Sequence, residues 1–363
     1  MSITENKSTQ DCNEIKTLSQ QKNERYLGLD ILKILSMTFI VIYHLSLHGG
    51  FYANSTSYFT KVFLTIINAM FWPSVNIFVY ISSFLIIKKG KTNIRNFFKL
   101  WLEIIFYNVI IYIVLCCFGI TPNIDNIFVL FLPITRSLYW FASTYLVLYL
   151  ISPLLLKIVN NLNKREYDIT ILAIIIISLC YMFGYQFLPL NNGFNIIWFA
   201  ILFIISGYQF RFGFNLQGKV KKIHLIIVYV ICLGLSIIKV NNFGLDALHN
   251  YTHIIALIET VVLFTLFQNI KSNNKIVNKI VKYISTCTFG IYLLHDNASA
   301  TQFMYQNLIQ VSKYYTLNLS WLHFIKIVLL IILCGIVVES LRKLLVYVIK
   351  KILILFKNNK IQQ

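Results

Sequence analysis

Apolar stretches about as long as a bilayer is thick recur from residue 27 to the C-terminal region. A helix needs roughly 20 apolar residues to cross about 30 Å of hydrocarbon. Backbone groups have no partner in lipid, so only helices and closed barrels can cross it. The stretches lack the alternation of a barrel strand, and ILAIIIISL at 171–179 is apolar on every face. The sequence therefore predicts an all-α integral membrane protein.

Composition and charge agree with a membrane protein. Of the 363 residues, 58% are hydrophobic and only 12% are charged, whereas a soluble domain carries about a quarter charged residues. The net charge of +19 would suggest nucleic acid binding in a soluble protein. Here it indicates cytoplasmic loops under the positive-inside rule. The seven cysteines show no zinc-binding spacing and no disulfide framework, so no metal site is predicted.

The apolar stretches predict ten transmembrane helices. Their approximate bounds are 27–47, 65–87, 99–118, 138–158, 168–185, 194–210, 223–239, 252–269, 283–300 and 321–341. We expect three parts of the chain: a disordered cytoplasmic tail at 1–24, a membrane domain at 25–345 and a basic cytoplasmic tail at 346–363.

Basic residues are concentrated in every second loop. The loops after even-numbered helices and the C-terminal region hold several Lys and Arg residues each, whereas the loops after odd-numbered helices hold at most one each. This alternation requires an even number of helices with both termini in the cytoplasm. It therefore supports the count of ten.

The first helix contains three ionisable residues, Asp30, Lys33 and His44. Such groups are costly inside a membrane and usually face a cavity or a partner. Lys33 and His44 are eleven residues apart, so they share one helix face about 16 Å apart, with Met37 and Ile40 between them. Asp30 lies one turn from Lys33 and can pair with it. The alternative is that Lys33 reaches the cytoplasmic surface while His44 lies at the outer interface.

A second histidine, His295, is followed by Asp296 where the ninth predicted helix ends near the outer side. Taken alone, an interfacial histidine at a helix end explains it equally well. Two histidines near the same leaflet, on helices that can be neighbours, favour a shared site that includes His44.

Other polar residues in the predicted helices have ordinary structural explanations. Asn76 and Ser82 suit helix packing, and Trp140 suits an interfacial aromatic belt. Glu103 can be a site acid or the partner of a lysine at the cytoplasmic edge. The absence of Walker A, GxGxxG and HExxH motifs argues against an ATP-driven pump and a zinc protease.

Five segments in collinear order resemble the acyltransferase-3 family. These multi-pass membrane enzymes acylate, most often O-acetylate, surface polysaccharides and other extracytoplasmic acceptors. The family pattern opens with a basic residue, usually arginine, eleven residues before a histidine, here Lys33 and His44. Lysine keeps the charge but loses the bidentate fork of arginine. The other segments are NIFVYISSFLI, YWFASTYLVLYLISPLL, FIISGYQF and TFGIYLLH, and the similarity spans residues 25–341.

The resemblance implies acyl transfer, usually of acetyl, from cytoplasmic acyl-CoA as cosubstrate to a sugar hydroxyl, with no bound cofactor. It assigns His44 as the general base, a role that suits imidazole near neutral pH. His295 and Asp296 are further catalytic candidates, and Asp296 can orient the ring. The candidates for CoA phosphate binding are Lys33, Arg95 and Lys99, and those for substrate or oxyanion contacts are Asn76, Ser82, Tyr292 and Trp140.

Two alternatives remain at this stage. One is a transporter or flippase for a polysaccharide or its lipid-linked precursor, and the other is a structural partner of a polysaccharide synthase. The sequence signature of the first helix favours the enzyme. The expected partners are acyl-CoA, a surface polysaccharide or lipid-linked sugar, and membrane lipid, without nucleic acid. An amino-acid composition rich in Lys, Ile and Asn suggests a bacterium whose genome is low in GC. The expected location is therefore a bacterial cell membrane.

Overall fold

The computed structural model describes residues 26–70, 72–120, 127–134, 138–182, 194–213 and 221–359. Within these ranges the chain forms helices and their connections, and no β-strand. The predicted disordered tail at 1–24 lies outside the described residues. The all-α fold class predicted from the sequence is confirmed.

Twelve helices of eight residues or more form the body of the described chain. They are α1 Leu27–Leu47, α2 Tyr58–Met70, α3 Ser74–Lys89, α4 Ile94–Cys117, α5 Trp140–Asn161, α6 Lys164–Met182, α7 Phe194–Phe212, α8 Lys222–Phe243, α9 Ile254–Gln268, α10 Lys275–Ser285, α11 Thr288–His295 and α12 Ser320–Asn359. Shorter helical segments are Phe51–Asn54, Ile127–Phe131, Leu245–His249, Thr301–Phe303, Met304–Leu308 and Val311–Tyr314.

The predicted count of ten spans is not confirmed. Seven helical stretches in the described ranges are long and apolar enough to cross a membrane, and α9 is apolar but has only 15 residues. The predicted span 65–87 is divided into α2 and α3 before Pro73, because proline has no N–H to continue a helix. The predicted span 283–300 covers the end of α10 and the whole of α11, and α11 ends at His295.

Helix α1 lies at the centre of the bundle. Helices α2, α3, α9, α10, α11 and α12 all pack against it. Its apolar residues Leu32, Val41 and Leu45 are fully buried. Asp30 is also buried, and the Ser285 hydroxyl at the end of α10 donates a 2.6 Å hydrogen bond to its carboxylate. Because other helices surround α1, its polar side chains face protein groups and cavities between helices.

A buried ion network joins α4, α11 and α12. Glu339 is fully buried, and Arg342 donates to both of its carboxylate oxygens at 2.7 Å. Arg342 also lies 3.1 Å from Glu103, so Glu103 is paired with an arginine from α12. The Tyr107 hydroxyl donates to Glu339 at 3.0 Å. Gly290 of α11 lies against this network, since a Cβ there would come within 2.6 Å of the Glu339 carboxylate and the Tyr107 hydroxyl.

The location of both termini in the cytoplasm stays a prediction, and single cysteines in a chain freed of its native cysteines test it. We expect Thr56→Cys and Asn318→Cys to react with a membrane-impermeant thiol reagent on intact cells, and Lys91→Cys and Asn273→Cys not to react. All four positions are exposed, so their access to reagent depends on the side of the membrane. Lysed membranes, in which all four should react, provide the control. A reversed or mixed pattern would contradict the topology.

Candidate functional site

The three predicted catalytic residues lie together between α1 and the end of α11. His44 Nδ1 is 3.1 Å from His295 Nε2 and 3.2 Å from Asp296 Oδ1. The side chains of His44 and Asp296 are each 13% exposed, and His295 is buried. A histidine from the first long helix and a His–Asp pair about 250 residues later therefore form one cluster.

The hydrogen bonds of the two histidines determine which ring nitrogens carry protons. His295 Nδ1 lies 2.7 Å from the carbonyl oxygen of Ile291. A carbonyl oxygen only accepts, so Nδ1 donates, and in a neutral imidazole Nε2 is then an acceptor. His44 Nδ1 must therefore donate its proton to His295 Nε2. His44 Nε2 is left with a lone pair, which is the form that a general base requires.

The turn after α11 is held by hydrogen bonds to Tyr139, the residue that precedes α5. The Tyr139 hydroxyl donates to the Leu293 carbonyl at 2.6 Å, and the buried Asn297 amide donates to the Tyr139 hydroxyl at 2.8 Å. The Asp296 N–H closes the last turn on the Tyr292 carbonyl. Tyr139 and Asn297 thus position the His–Asp pair. Sequence reasoning missed both residues, and the only signal was that Asn297 follows the pair directly.

One cavity runs along the predicted polar face of α1. It has a volume of about 200 Å³, and Lys33, Met37, Ile40 and His44 all line it. We call it the Lys33 cavity. The predicted site residues Ser82, Trp140, Tyr292 and Asp296 line it too, together with aromatic side chains from α5 and α11.

His44 also lines a second cavity, of about 220 Å³, whose lining includes His48. We call it the His48 cavity. The two cavities have five lining residues in common, namely Ile40, His44, Val75, Trp140 and Asp296. The proposed base therefore lies where two cavities meet, one reaching Lys33 and the other reaching His48.

The remaining predicted site residues lie elsewhere. Asn76 is fully buried, donates to the Tyr251 carbonyl at 2.7 Å and accepts from Trp198 Nε1 at 3.0 Å. Its amide is therefore used in packing α3 against its neighbours, and Asn76 lines neither cavity. Arg95 and Lys99 are exposed on the first turns of α4 and line neither cavity, although the adjacent Leu100 lines the Lys33 cavity.

Comparison with known proteins identifies one match. The model of the acyltransferase-3 family, described as an acyltransferase domain, matches residues 26–340 and so covers nearly the whole chain. The matched region contains every helix that lines the two cavities. No curated protein and no solved structure matches the chain.

The hydrogen-bond order predicts a single neutral tautomer for His44. In protein labelled with ¹⁵N-histidine, we expect Nδ1 of His44 to carry the proton and Nε2 to resonate as an unprotonated nitrogen at neutral pH. His44→Gln identifies the signal. His295 Nε2 and Asp296 Oδ1 both lie within hydrogen-bond reach of His44 Nδ1. We therefore expect the tautomer preference of His44 to weaken in His295→Leu and to weaken further when Asp296→Asn is added. A wild-type His44 protonated on Nε2 would contradict the assigned order.

Proposed function

The chain belongs to the acyltransferase-3 family, and we propose that it transfers an acyl group, usually acetyl, from cytoplasmic acyl-CoA to an extracytoplasmic hydroxyl. The acceptor in this proposal is a surface polysaccharide or its lipid-linked precursor at a bacterial cell membrane. The observation that supports it most directly is the meeting of two cavities at His44. Family membership favours this activity over the transporter alternative.

In the proposed reaction, His44 Nε2 removes the proton of the acceptor hydroxyl as its oxygen attacks the thioester carbonyl. The carbon–sulfur bond then breaks, and the proton passes from His44 to the departing thiolate of CoA. His44 becomes an imidazolium between these steps. Its Nδ1–H then points at His295 Nε2 and lies 3.2 Å from Asp296 Oδ1, so a carboxylate stabilises the transient positive charge.

The oxyanion of the tetrahedral intermediate needs hydrogen-bond donors close to the carbonyl carbon. The hydroxyl groups of Ser82, Tyr145 and Tyr292 all belong to residues that line the Lys33 cavity. Tyr292 also lies beside Asp296. These three side chains are our candidates, and Asn76 is replaced in this role because its amide is already used in packing.

The donor fits the Lys33 cavity in this proposal. Lys33 lies at the end of the cavity away from His44, on the side where the charge pattern places the cytoplasm. Arg95 and Lys99 stand on the exposed first turns of α4, next to cavity-lining Leu100. Anionic CoA phosphates would remain at this charged margin while the pantetheine arm covers the roughly 16 Å of α1 between Lys33 and His44.

The acceptor fits the His48 cavity. Trp72, Trp140, Tyr43 and Tyr251 line it, and the Trp140 and Tyr251 rings are stacked 5.4 Å apart. Rings with polar edges suit a sugar, because its ring presents apolar C–H groups on its faces and hydroxyl groups at its edge. A few polar groups among aromatic walls are typical of small-molecule sites.

We expect His44→Ala to reduce acyl transfer by roughly 10²–10⁴-fold, the usual contribution of a general base. The measurement is ester-linked acyl on surface glycan from a deletion strain carrying the variant, and acyl transfer by purified protein. His224→Ala, at an exposed position at the start of α8, should keep normal activity and serves as the control. Near-normal acylation by a well-expressed His44→Ala chain would remove His44 from the mechanism.

We expect Lys33→Gln to raise the KM for acyl-CoA by about tenfold or more, because a phosphate loses a charge-assisted contact. The KM for the acceptor should change little, and Lys33→Arg should be tolerated since it restores a bidentate donor. Steady-state kinetics in proteoliposomes, with each substrate varied separately, measures both. Lys89→Gln removes an equal charge from the exposed end of α3 and is the control. A defect confined to the acceptor would place the donor elsewhere.

A further inference from the structure

The last turn of α1 presents two histidines on the same face. His48 follows His44 by four residues, and its backbone remains helical with φ −70° and ψ −32°. The N–H groups of His48 and Gly49 both bond to the His44 carbonyl, at 2.8 and 3.0 Å. The two imidazole rings are 5.2 Å apart between centroids. Histidines spaced by four residues on one helix face are a recurrent metal-binding arrangement.

A carboxylate from another element completes a group of three ligands. Asp296 Oδ1 lies 3.2 Å from His44 Nδ1. One ligand atom each from His44, His48 and Asp296 lie within 4.8 Å of one another. Nitrogen and oxygen ligands of a tetrahedral zinc ion are about 3.3 Å apart. The distance between His44 and Asp296 already matches this value, and the exposed His48 side chain would need to move by at most about 1.5 Å.

From this arrangement we propose that the His48 cavity binds a divalent transition-metal ion, such as Zn²⁺, through His44, His48 and Asp296. Two imidazoles and one carboxylate select zinc and its neighbours, because Mg²⁺ and Ca²⁺ prefer sites made of oxygen ligands. The cavity of about 220 Å³ beside the ligands leaves room for water in a fourth position. The Asp296 carboxylate supplies negative charge to an ion that is otherwise held by neutral rings.

Metal binding would inhibit acyl transfer, and this part of the inference rests on the proposed function. A metal on His44 Nδ1 takes the place of the proton that Nδ1 donates to His295. The proton of the neutral ring then lies on Nε2, so the lone pair that a general base needs is lost. The metal also takes Asp296 away from the imidazolium that forms during the reaction. The ion and the acceptor would share the His48 cavity, so a bound ion would also hinder binding of the acceptor.

Metal titration tests the site without any activity measurement. The full-length chain is purified without a polyhistidine tag. Its native cysteines are replaced, so that Cys116 and Cys117, which are consecutive in the sequence, cannot bind metal. It is stripped with chelator and titrated with Co²⁺, whose visible absorption reports tetrahedral ligation, and with Zn²⁺ against a chromogenic chelator. We expect one ion per chain. Absence of binding at micromolar metal would overturn the proposal.

Variants assign the ligands. We expect His48→Gln and Asp296→Asn each to weaken metal binding by at least about tenfold, since even supporting residues around a metal contribute that much. His224→Gln changes an exposed histidine outside the cavities and should bind as the wild type does. Each variant is first shown to be monodisperse with a melting temperature near that of the wild type. Two ligand variants are made so that the test still stands if one of them fails to fold. Unchanged affinity in a folded ligand variant would refute the assignment.

Inhibition is measured as the ratio of two acyl-transfer rates of the same protein, one with Zn²⁺ and one without. We expect wild-type activity to fall as the site fills, and the inhibitory concentration in His48→Gln to rise in parallel with the dissociation constant. Equal inhibition in the two proteins would overturn the inhibitory role. Metal binding by a wild-type protein that shows no acyl transfer would overturn the proposed function and the inhibition, while the titration would still establish the site.

Discussion

Polar groups inside hydrocarbon must find their partners within the protein, and this constraint places α1 at the centre of the bundle. An unpaired buried polar group costs several kcal/mol. Asp30 meets this requirement through Ser285 at the end of α10, and His44 meets it through His295 and Asp296 at the end of α11. Both contacts need α10 and α11 to lie directly against α1, which is how the helices pack. The same requirement explains why the polar face of α1 borders cavities between helices.

The position of the proton on His44 follows from the hydrogen bonds of its neighbours. The Ile291 carbonyl makes His295 Nδ1 a donor, and the proton order then leaves the lone pair of His44 on Nε2. That order depends on the position of α11, which has only eight residues. The buried network around Glu339 presses against Gly290 at one end of α11, and Tyr139 holds the other end. Ion pairs of α12 therefore help to fix the position of α11, the helix that carries His295.

The meeting of two cavities at His44 also explains how such an enzyme would work across a membrane. Moving CoA through hydrocarbon would require the desolvation of its phosphates, which is prohibitive. In the proposed arrangement the phosphates stay near Lys33, and only the small uncharged acyl group passes His44 to reach the acceptor. The proposed metal site uses the same point, because His48 and Asp296 approach His44 from the acceptor side. Access to one imidazole would then control the whole transfer.

Features that depend on neighbouring residues in the chain were determined by the sequence alone. The length of the apolar stretches predicts membrane helices. The spacing of eleven residues predicts that Lys33 and His44 share a helix face, and both residues line the Lys33 cavity. Only the tertiary structure decided the pairing of His44 with a residue 251 positions away, the packing role of Asn76 and the approach of His48 to Asp296. Hydropathy and periodicity describe a helix by itself, whereas these contacts depend on which helices are neighbours and how each is rotated. The break between α10 and α11 was missed for the same reason. Ser285 and Thr286 at the break form hydrogen bonds with Asp30 of α1 and Lys343 of α12, and these partners are distant in the sequence.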